Sequence, residues 1–400
     1  MSLAFGVISP QDWQLPVTTT LSEQPFESLG VSLAELERRA RAATYDWLPQ
    51  QFDQATSAFH GHYRVPDGFL EPPQTVNLIA PWQLIAAYDR YQDRQLLERA
   101  RQAANWFYTH HVVDHPMAVV AGGVRDGAAT DEIWTKFSAE EVITCLGLYA
   151  RTDDAVWRDR ALQCGRYLIQ ARRHDYAPRF KLSTGRWIAH GWDSWGRAVE
   201  ALVLLWQAFD TQSWLDEAIL WGQHGLNIQG TDGSFYLIDG EYYNTDLAPD
   251  ELRALTMLHE ITGRDDFLDA AQRFAQWHLN HQLANGAWPL TIDIDGHVVM
   301  PTVGPGDVPN IGIALLRLFH VTGETAYLDA AYRAFRYLLS VQVTPGANTP
   351  YSDNPRAQWG FWSWDPQYDY TQSADQSTHH VRGIWFLIDY WNAHLAQQAD

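Results

Sequence analysis

A chain of 400 residues, 46% of them hydrophobic and 19% charged, has enough apolar side chain for a large core. No apolar run reaches the roughly 18 residues that a membrane span needs. Its 28 basic and 48 acidic residues leave a net charge of −20, which argues against a nucleic-acid partner, because phosphate binding needs a basic face.

The first predicted element is an amphipathic helix over Ser32–Trp47. An enclosed helix over Thr75–Tyr88 follows, apolar around most of its circumference. From there the chain repeats. Tyr91–Ala100 returns in degraded form as Thr152–Ala161, Asp210–Ala218, Thr262–Ala271 and Thr322–Ala331. The bulky anchors Leu96, Trp157, Trp214, Phe267 and Tyr327 are therefore spaced by 61, 57, 53 and 60 residues. Such a period means an array of equivalent units, since one unit cannot bury its apolar face alone. Each anchor opens a helix with apolar residues three and four apart, as in Leu96, Ala100, Ala103 and Phe107. Enclosed helices alternate with them at Ser138–Tyr149, Trp192–Phe209, Ala248–Ile261, Val308–Val321 and Thr378–Leu395. Six enclosed and six anchor-type helices predict an all-α, (α/α)6 toroid over 1–400. Its first outer helix closes against its last inner one. No Gly-rich or Pro-rich spacer interrupts the repeat, so a single domain is expected.

Inner-to-outer links are short, whereas outer-to-inner links are long: about 111–137, 174–191, 230–247, 285–307 and 343–377. Long ordered loops on a compact scaffold carry function, and these all reach one face, above the N-termini of the inner helices. Three contain hairpin turns, at Thr184-Gly185, Asp239-Gly240 and Asp295-Gly296, between alternating apolar residues. Asp239 and Asp295 are thus read as turn residues, and Asp293-x-Asp295 is not read as a metal site.

Carboxylates, imidazoles and indoles concentrate where the long loops meet the inner helices. Asp131 and Asp193, one repeat apart and each within three residues of a Trp, are the candidates for general acid and base. Trp134, His190, Trp192, Trp195, Arg197, Tyr242, Trp288, Trp362, Trp364, His379 and His380 are the candidates for substrate binding. Burial beside indoles and a second carboxylate would raise the pKa of the donor. A competing role exists for Asp131, Asp193, Asp246 and Asp307, which stand at or near helix starts where Asp caps free N–H groups. His259 and His320 are read as structural. Trp157, Trp214, Trp221 and Phe267 are read as core. No His-Glu-x-x-His pattern, Gly-x-Gly-x-x-Gly or phosphate-binding Gly-Lys-Ser/Thr loop occurs, so neither metal nor cofactor is expected.

The repeat Leu-x-x-x-Thr-Gly-x-x-x-Tyr/Phe-Leu-x-x-Ala, at Leu258–Ala271 and Leu318–Ala331, resembles that of the six-hairpin carbohydrate-active enzymes. The unsaturated glucuronyl and rhamnogalacturonyl hydrolases are nearest in layout, through Asp131-Glu-Ile-Trp-Thr-Lys-Phe137 and the position of Asp193. What this resemblance implies is a glycoside hydrolase acting on an oligosaccharide, an unsaturated uronyl saccharide among them. The Trp-x-Arg-Gly stretch of those hydrolases is missing near the fourth inner helix, where this chain has Thr245-Asp-Leu-Ala-Pro-Asp250. The alternative resemblance is to the N-acylglucosamine and cellobiose 2-epimerases, which would use His379 or His380 with His190 for proton abstraction and return. A polysaccharide lyase using Tyr242 or Tyr243, or a non-catalytic glycan-binding toroid, would keep the same fold. The expected partner is a small oligosaccharide or monosaccharide, with no nucleic acid and no membrane; a homodimer stays open. Two cysteines, Cys145 and Cys164, read as buried thiols, and the N-terminus lacks a signal-peptide pattern, so the expected location is cytoplasmic.

Overall fold

The computed structural model describes residues 29–113, 119–189, 195–236, 242–364 and 370–399. Among them run twelve α-helices: α1 (Leu33–Ala42), α2 (Val76–Tyr91), α3 (Arg94–His111), α4 (Thr135–Thr152), α5 (Ala155–Arg173) and α6 (Trp195–Phe209), then α7 (Gln212–Ile228), α8 (Ala248–Thr262), α9 (Asp265–His281), α10 (Asp307–Thr322), α11 (Thr325–Ser340) and α12 (Ala374–Ala399). The even-numbered helices form the inner ring. Each packs on the next, and α12 packs back on α2. The odd-numbered helices lie outside, each against its hairpin partner, and α1 closes against α12. This is the predicted (α/α)6 toroid. None of the described helices is long and apolar enough to cross a membrane.

The sequence repeat is a device for reversing the chain in two residues. Each of the first five inner helices is followed by a left-handed residue: Gln92 (φ 57°), Asp153 (53°), Asp210 (48°), Gly263 (68°) or Gly323 (78°). The very next residue is the N-cap of the outer helix. Asp93 and Asp154 cap with their carboxylates, accepting from Gln95 N at 2.9 Å and Val156 N at 3.0 Å. The recurrent threonine fastens the turn from the other side. The Thr262 and Thr322 hydroxyls donate to Leu258 O and Leu318 O at 2.6 and 2.8 Å, and accept from Arg264 N and Glu324 N at 3.3 Å. The anchors Leu96, Trp157, Trp214, Phe267 and Tyr327 are all buried between the rings. Each such side chain contributes roughly 1.5–3 kcal/mol by leaving water. Cys145 and Cys164 are buried free thiols.

The long loops do more than form isolated hairpins. Antiparallel strands stitch them together in pairs. β5 (Val124–Arg125) and β6 (Glu132–Trp134) from the loop before α4 join β7 (Arg179–Lys181) and β8 (Arg186–Ile188) from the loop before α6. β9 (Tyr242–Asn244), before α8, pairs with β10 (Thr291–Asp293), which pairs with β11 (Val298–Met300), before α10. β3 (Tyr63–Arg64) and β4 (Phe69–Leu70), before α2, take up β12 (Thr371–Gln372), before α12. A two-stranded ribbon, β1 (Phe52–Asp53) with β2 (Ala58–Phe59), completes the set. The turns at Gly185 (φ 64°) and Gly296 (φ 81°) fall where the sequence places them. The Asp239-Gly240 turn lies outside the described residues. Asp293 closes its turn by accepting from Asp295 N at 3.0 Å and His297 N at 2.8 Å.

Candidate active site

Inner helices of a toroid face one another across its axis, and here that axis is charged. Arg197 of α6 reaches Glu200 at 2.8 Å, Asp250 of α8 at 2.7 Å and Glu140 of α4 at 3.5 Å. Arg253 of α8 bonds the same Glu200 and Asp250, both at 3.0 Å. All five side chains are buried. The Arg197 and Arg382 guanidinium groups both lie over the Trp82 ring, 5.5 and 5.0 Å from its centroid, and the Trp82 indole donates to Thr144 Oγ1 at 2.7 Å. Burial and repulsion from Arg253 hold Arg382 down at about 9. Burial raises Glu140 to about 7, even though Lys136 and Arg197 favour its ionised form. This charged plug fixes the first turns of α4, α6 and α8 relative to each other.

Above it opens a cavity of about 370 Å³ on the long-loop face. Its walls come from the first turns of α2, α4, α10 and α12 and from the loops before them: His62, Thr75, Ile79, Lys136, Phe137, Glu140, Asn244, Asp246, Asp307, Trp364, Asp375, Gln376 and His379 are among the lining residues. Lys136 Nζ sits 2.6 Å from Asp246 Oδ2. The ammonium stays charged because Asp246, Glu140 and Asp250 together outweigh its burial.

Two carboxyl groups in the lining are displaced in opposite directions. Burial pushes Asp307 well above the usual carboxylate range, and the negative charges of Asp246, Asp375 and Asp250 add to the shift, against the pull of Lys136. Burial also acts to raise Asp375, but the hydrogen bond from His379 and the positive charge of Lys136 bring it below that range. His379 Nε2 lies 3.3 Å from Asp375 Oδ1. The Asn310 amide donates to His379 Nδ1 at 2.9 Å and is itself oriented by Gly306 O at 3.2 Å. With Nδ1 accepting, the ring proton belongs on Nε2, facing Asp375. Gln376 Oε1 accepts from Gly306 N at 2.7 Å and so fastens the start of α10 to that of α12.

The residues named from sequence scatter around this cavity. Trp364 and His379 line it. Asp131 does not: its carboxylate accepts from Ser183 N at 2.7 Å and from the Ser183 hydroxyl, tying β6 to the β7–β8 hairpin. Hydrogen bonding to Ser183 lowers its pKa, the opposite of the rise expected for a proton donor. Trp134 stands just before α4 with Arg179 over its ring, 5.0 Å from the centroid, outside the lining. Trp195 is fully buried against Phe235 and Gly225, Trp288 donates to His278 O at 2.9 Å, and Trp362 packs on Tyr351 and Tyr370; all three are core. Arg197 belongs to the plug. His380 is buried with its ring stacked on Phe361, and burial drives its pKa well down. Asp193, His190 and Trp192 lie outside the described residues, as does the Tyr242 side chain. Lys136, Asn244 and Gln376 fall within the polar segments that the sequence places at the mouth but are not candidates there, and Glu140 and Asn310 lie outside those segments. Asp246 and Asp307 stand among the mouth carboxylates in the sequence, with helix capping as a competing role, and neither is a candidate acid or base there. The signal was present in the sequence: charge on a helix enclosed on all sides has to be answered from inside the ring.

No protein-family model and no curated protein sequence matches the chain. Solved structures do. A D-mannose isomerase superimposes with a TM-score of 0.72 at 12% identity, over 92% of this chain and 99% of the isomerase. The cellobiose 2-epimerase from Bacillus thermoamylovorans gives 0.71 at 12% identity, over 89% of this chain and 98% of the enzyme. An unsaturated glucuronyl hydrolase from a Bacillus species gives 0.62 at 12% identity, over 89% and 97%. At these identities the likeness is one of fold. The fold is the (α/α)6 toroid that these three enzymes share.

Proposed function

We propose that the protein is a carbohydrate-active enzyme that cleaves a glycosidic bond in a small saccharide by carboxyl acid–base catalysis. In this reading Asp307 is the general acid and Asp375 the general base. The observation that carries it is the opposite displacement of these two carboxyl groups in one cavity. A pair of acids whose environments separate their pKa values is what acid–base cleavage of a glycoside uses near neutrality. His379 is the positioning residue: its Nε2–H holds Asp375 ionised and aimed, and Asn310 fixes the ring. The cavity volume falls in the range of roughly 300–1,000 Å³ typical of small-molecule sites. Trp364 and Phe137 offer faces for a sugar ring, while Asn244, Ser373 and Gln376 offer groups for its hydroxyls.

A second reading, sugar epimerisation or isomerisation, draws support from the His379–Asp375 pair and from the higher TM-scores of the isomerase and epimerase structures. It requires His379 to release Asn310 and present Nδ1 to a C2 proton. One experiment separates the two. Saturated and 4,5-unsaturated disaccharides and free aldoses are incubated with the protein and the products followed by NMR. The hydrolytic reading expects bond cleavage, lost at least about a hundredfold in Asp307→Asn and Asp375→Asn with the fold retained. Inversion at C2 without cleavage, abolished in His379→Ala and kept in Asp307→Asn, would replace it with the second.

A further inference from the structure

Among the described residues, the cavity lining holds four carboxyl groups, Glu140, Asp246, Asp307 and Asp375, and one Lys or Arg, Lys136. None of the residues outside the described set is a Lys or Arg, so no such side chain can reach the mouth from those segments. Lys136 is committed: Nζ is 2.6 Å from Asp246 Oδ2, with the ammonium buried and Asp246 partly exposed toward the cavity. Asp246 is in turn held at the end of its loop, where Asn244 Oδ1 accepts its backbone N–H at 2.9 Å. His379 faces Asp375 and Asn310, and His62 Nδ1 faces Glu71 at 3.0 Å, so the imidazoles are engaged as well.

We infer that this site selects saccharides without a carboxylate, and that Asp246 is the residue that excludes uronates, by occupying the ammonium that the described lining offers them. The inference rests on the carbohydrate reading above and narrows its substrate class. A uronate would add a fifth carboxyl group among the four. Asp307 keeps its proton in that reading and Glu140 is paired with Arg197, so the charge a uronate would meet at short range, where like charges are poorly screened, is that of Asp246 and Asp375. The net charge of −20 acts in the same direction at long range, by disfavouring approach of an anion. A neutral ring meets neither barrier and keeps the hydrogen-bonding amides and hydroxyls of the lining. The unsaturated uronyl substrates implied by the sequence resemblance therefore fit this cavity poorly.

The test is a binding comparison of matched sugars, D-glucose with D-glucuronate and D-mannose with D-mannuronate. Each is titrated into the full-length protein and followed by calorimetry and ligand-observed NMR. For at least one pair, the neutral sugar should bind at least about tenfold more tightly than its uronate. In Asp246→Asn, which removes the carboxylate charge 2.6 Å from Lys136 Nζ, that ratio should shrink at least about fivefold, chiefly through tighter uronate binding. In Lys136→Gln the wild-type preference should persist, since the acidic lining remains. Equal or tighter uronate binding by the wild-type protein overturns the inference while leaving the carbohydrate reading intact. A preference unchanged in Asp246→Asn overturns the role of Asp246. If none of the four sugars binds, the carbohydrate reading itself falls and takes the inference with it.

Discussion

Asp307 and Asp375 show how the lining of one cavity can shift two carboxyl groups in opposite directions. Both are desolvated, but only Asp375 receives a ring N–H from His379. The expected pH–rate profile is a bell. Its acid limb belongs to Asp375 and lies below the usual carboxylate range; its alkaline limb belongs to Asp307 and lies above it. Asp246→Asn removes a negative charge that helps keep Asp307 protonated, so the alkaline limb should move to lower pH in a kcat/KM profile. A second acid affects stability instead. Burial raises Glu141 from 4.5 to about 8, and among the described residues its Oε1 accepts from Cys145 Sγ alone, at 3.2 Å. Because the folded chain holds this proton more tightly than the unfolded chain, stability is full at low pH and falls as pH rises from about 4.5 toward about 8. Glu141→Gln should abolish that fall, so its urea midpoint relative to wild type should rise between pH 5 and pH 8.

At the scale of the helical hairpin, two glycines with the same sign of φ should respond unequally to alanine. Gly263 (φ 68°) has nothing within 4 Å of an added Cβ, so Gly263→Ala should lose only the roughly 1–2 kcal/mol of a left-handed L-residue. Gly286 (φ 95°) would place that Cβ 2.2 Å from Arg333 O, a backbone atom, so Gly286→Ala should cost clearly more. Chemical denaturation of the two variants checks this directly. The hairpins were legible in the sequence because their rules are local: a Thr-Gly turn, an anchor, apolar residues three and four apart. The site was legible only in part. Trp364 and His379 stand at the ends of long loops, where position alone suggests exposure to a ligand. Lys136 and Asp246 are 110 residues apart and meet only when the ring closes. Trp195 and Trp288 misled because an indole near the mouth and an indole under it look alike in a linear sequence. Asp131 misled because its distant partner, Ser183, comes from the neighbouring loop.

For the molecule as a whole, the charged plug sets a vulnerability at the centre of the ring. Arg197→Met would remove the cation common to Glu200, Asp250 and Glu140, leaving the first two to Arg253, and should cost about 3–5 kcal/mol by thermal or urea unfolding. Added salt should rescue little of this loss, because buried charges are weakly screened. The pairing of the long loops has a different consequence, for anyone who would graft new specificity onto this ring. β6 finds its hydrogen bonds on β7, β9 on β10, and β12 on β3, so each loop supplies half of a sheet completed by its neighbour. A loop transplanted alone would arrive with an open strand edge and leave another behind. The unit of exchange is the couple, and there are three such couples around the rim. Chimeras that move both members together should express and melt like the parent, whereas single-loop chimeras should aggregate or melt earlier.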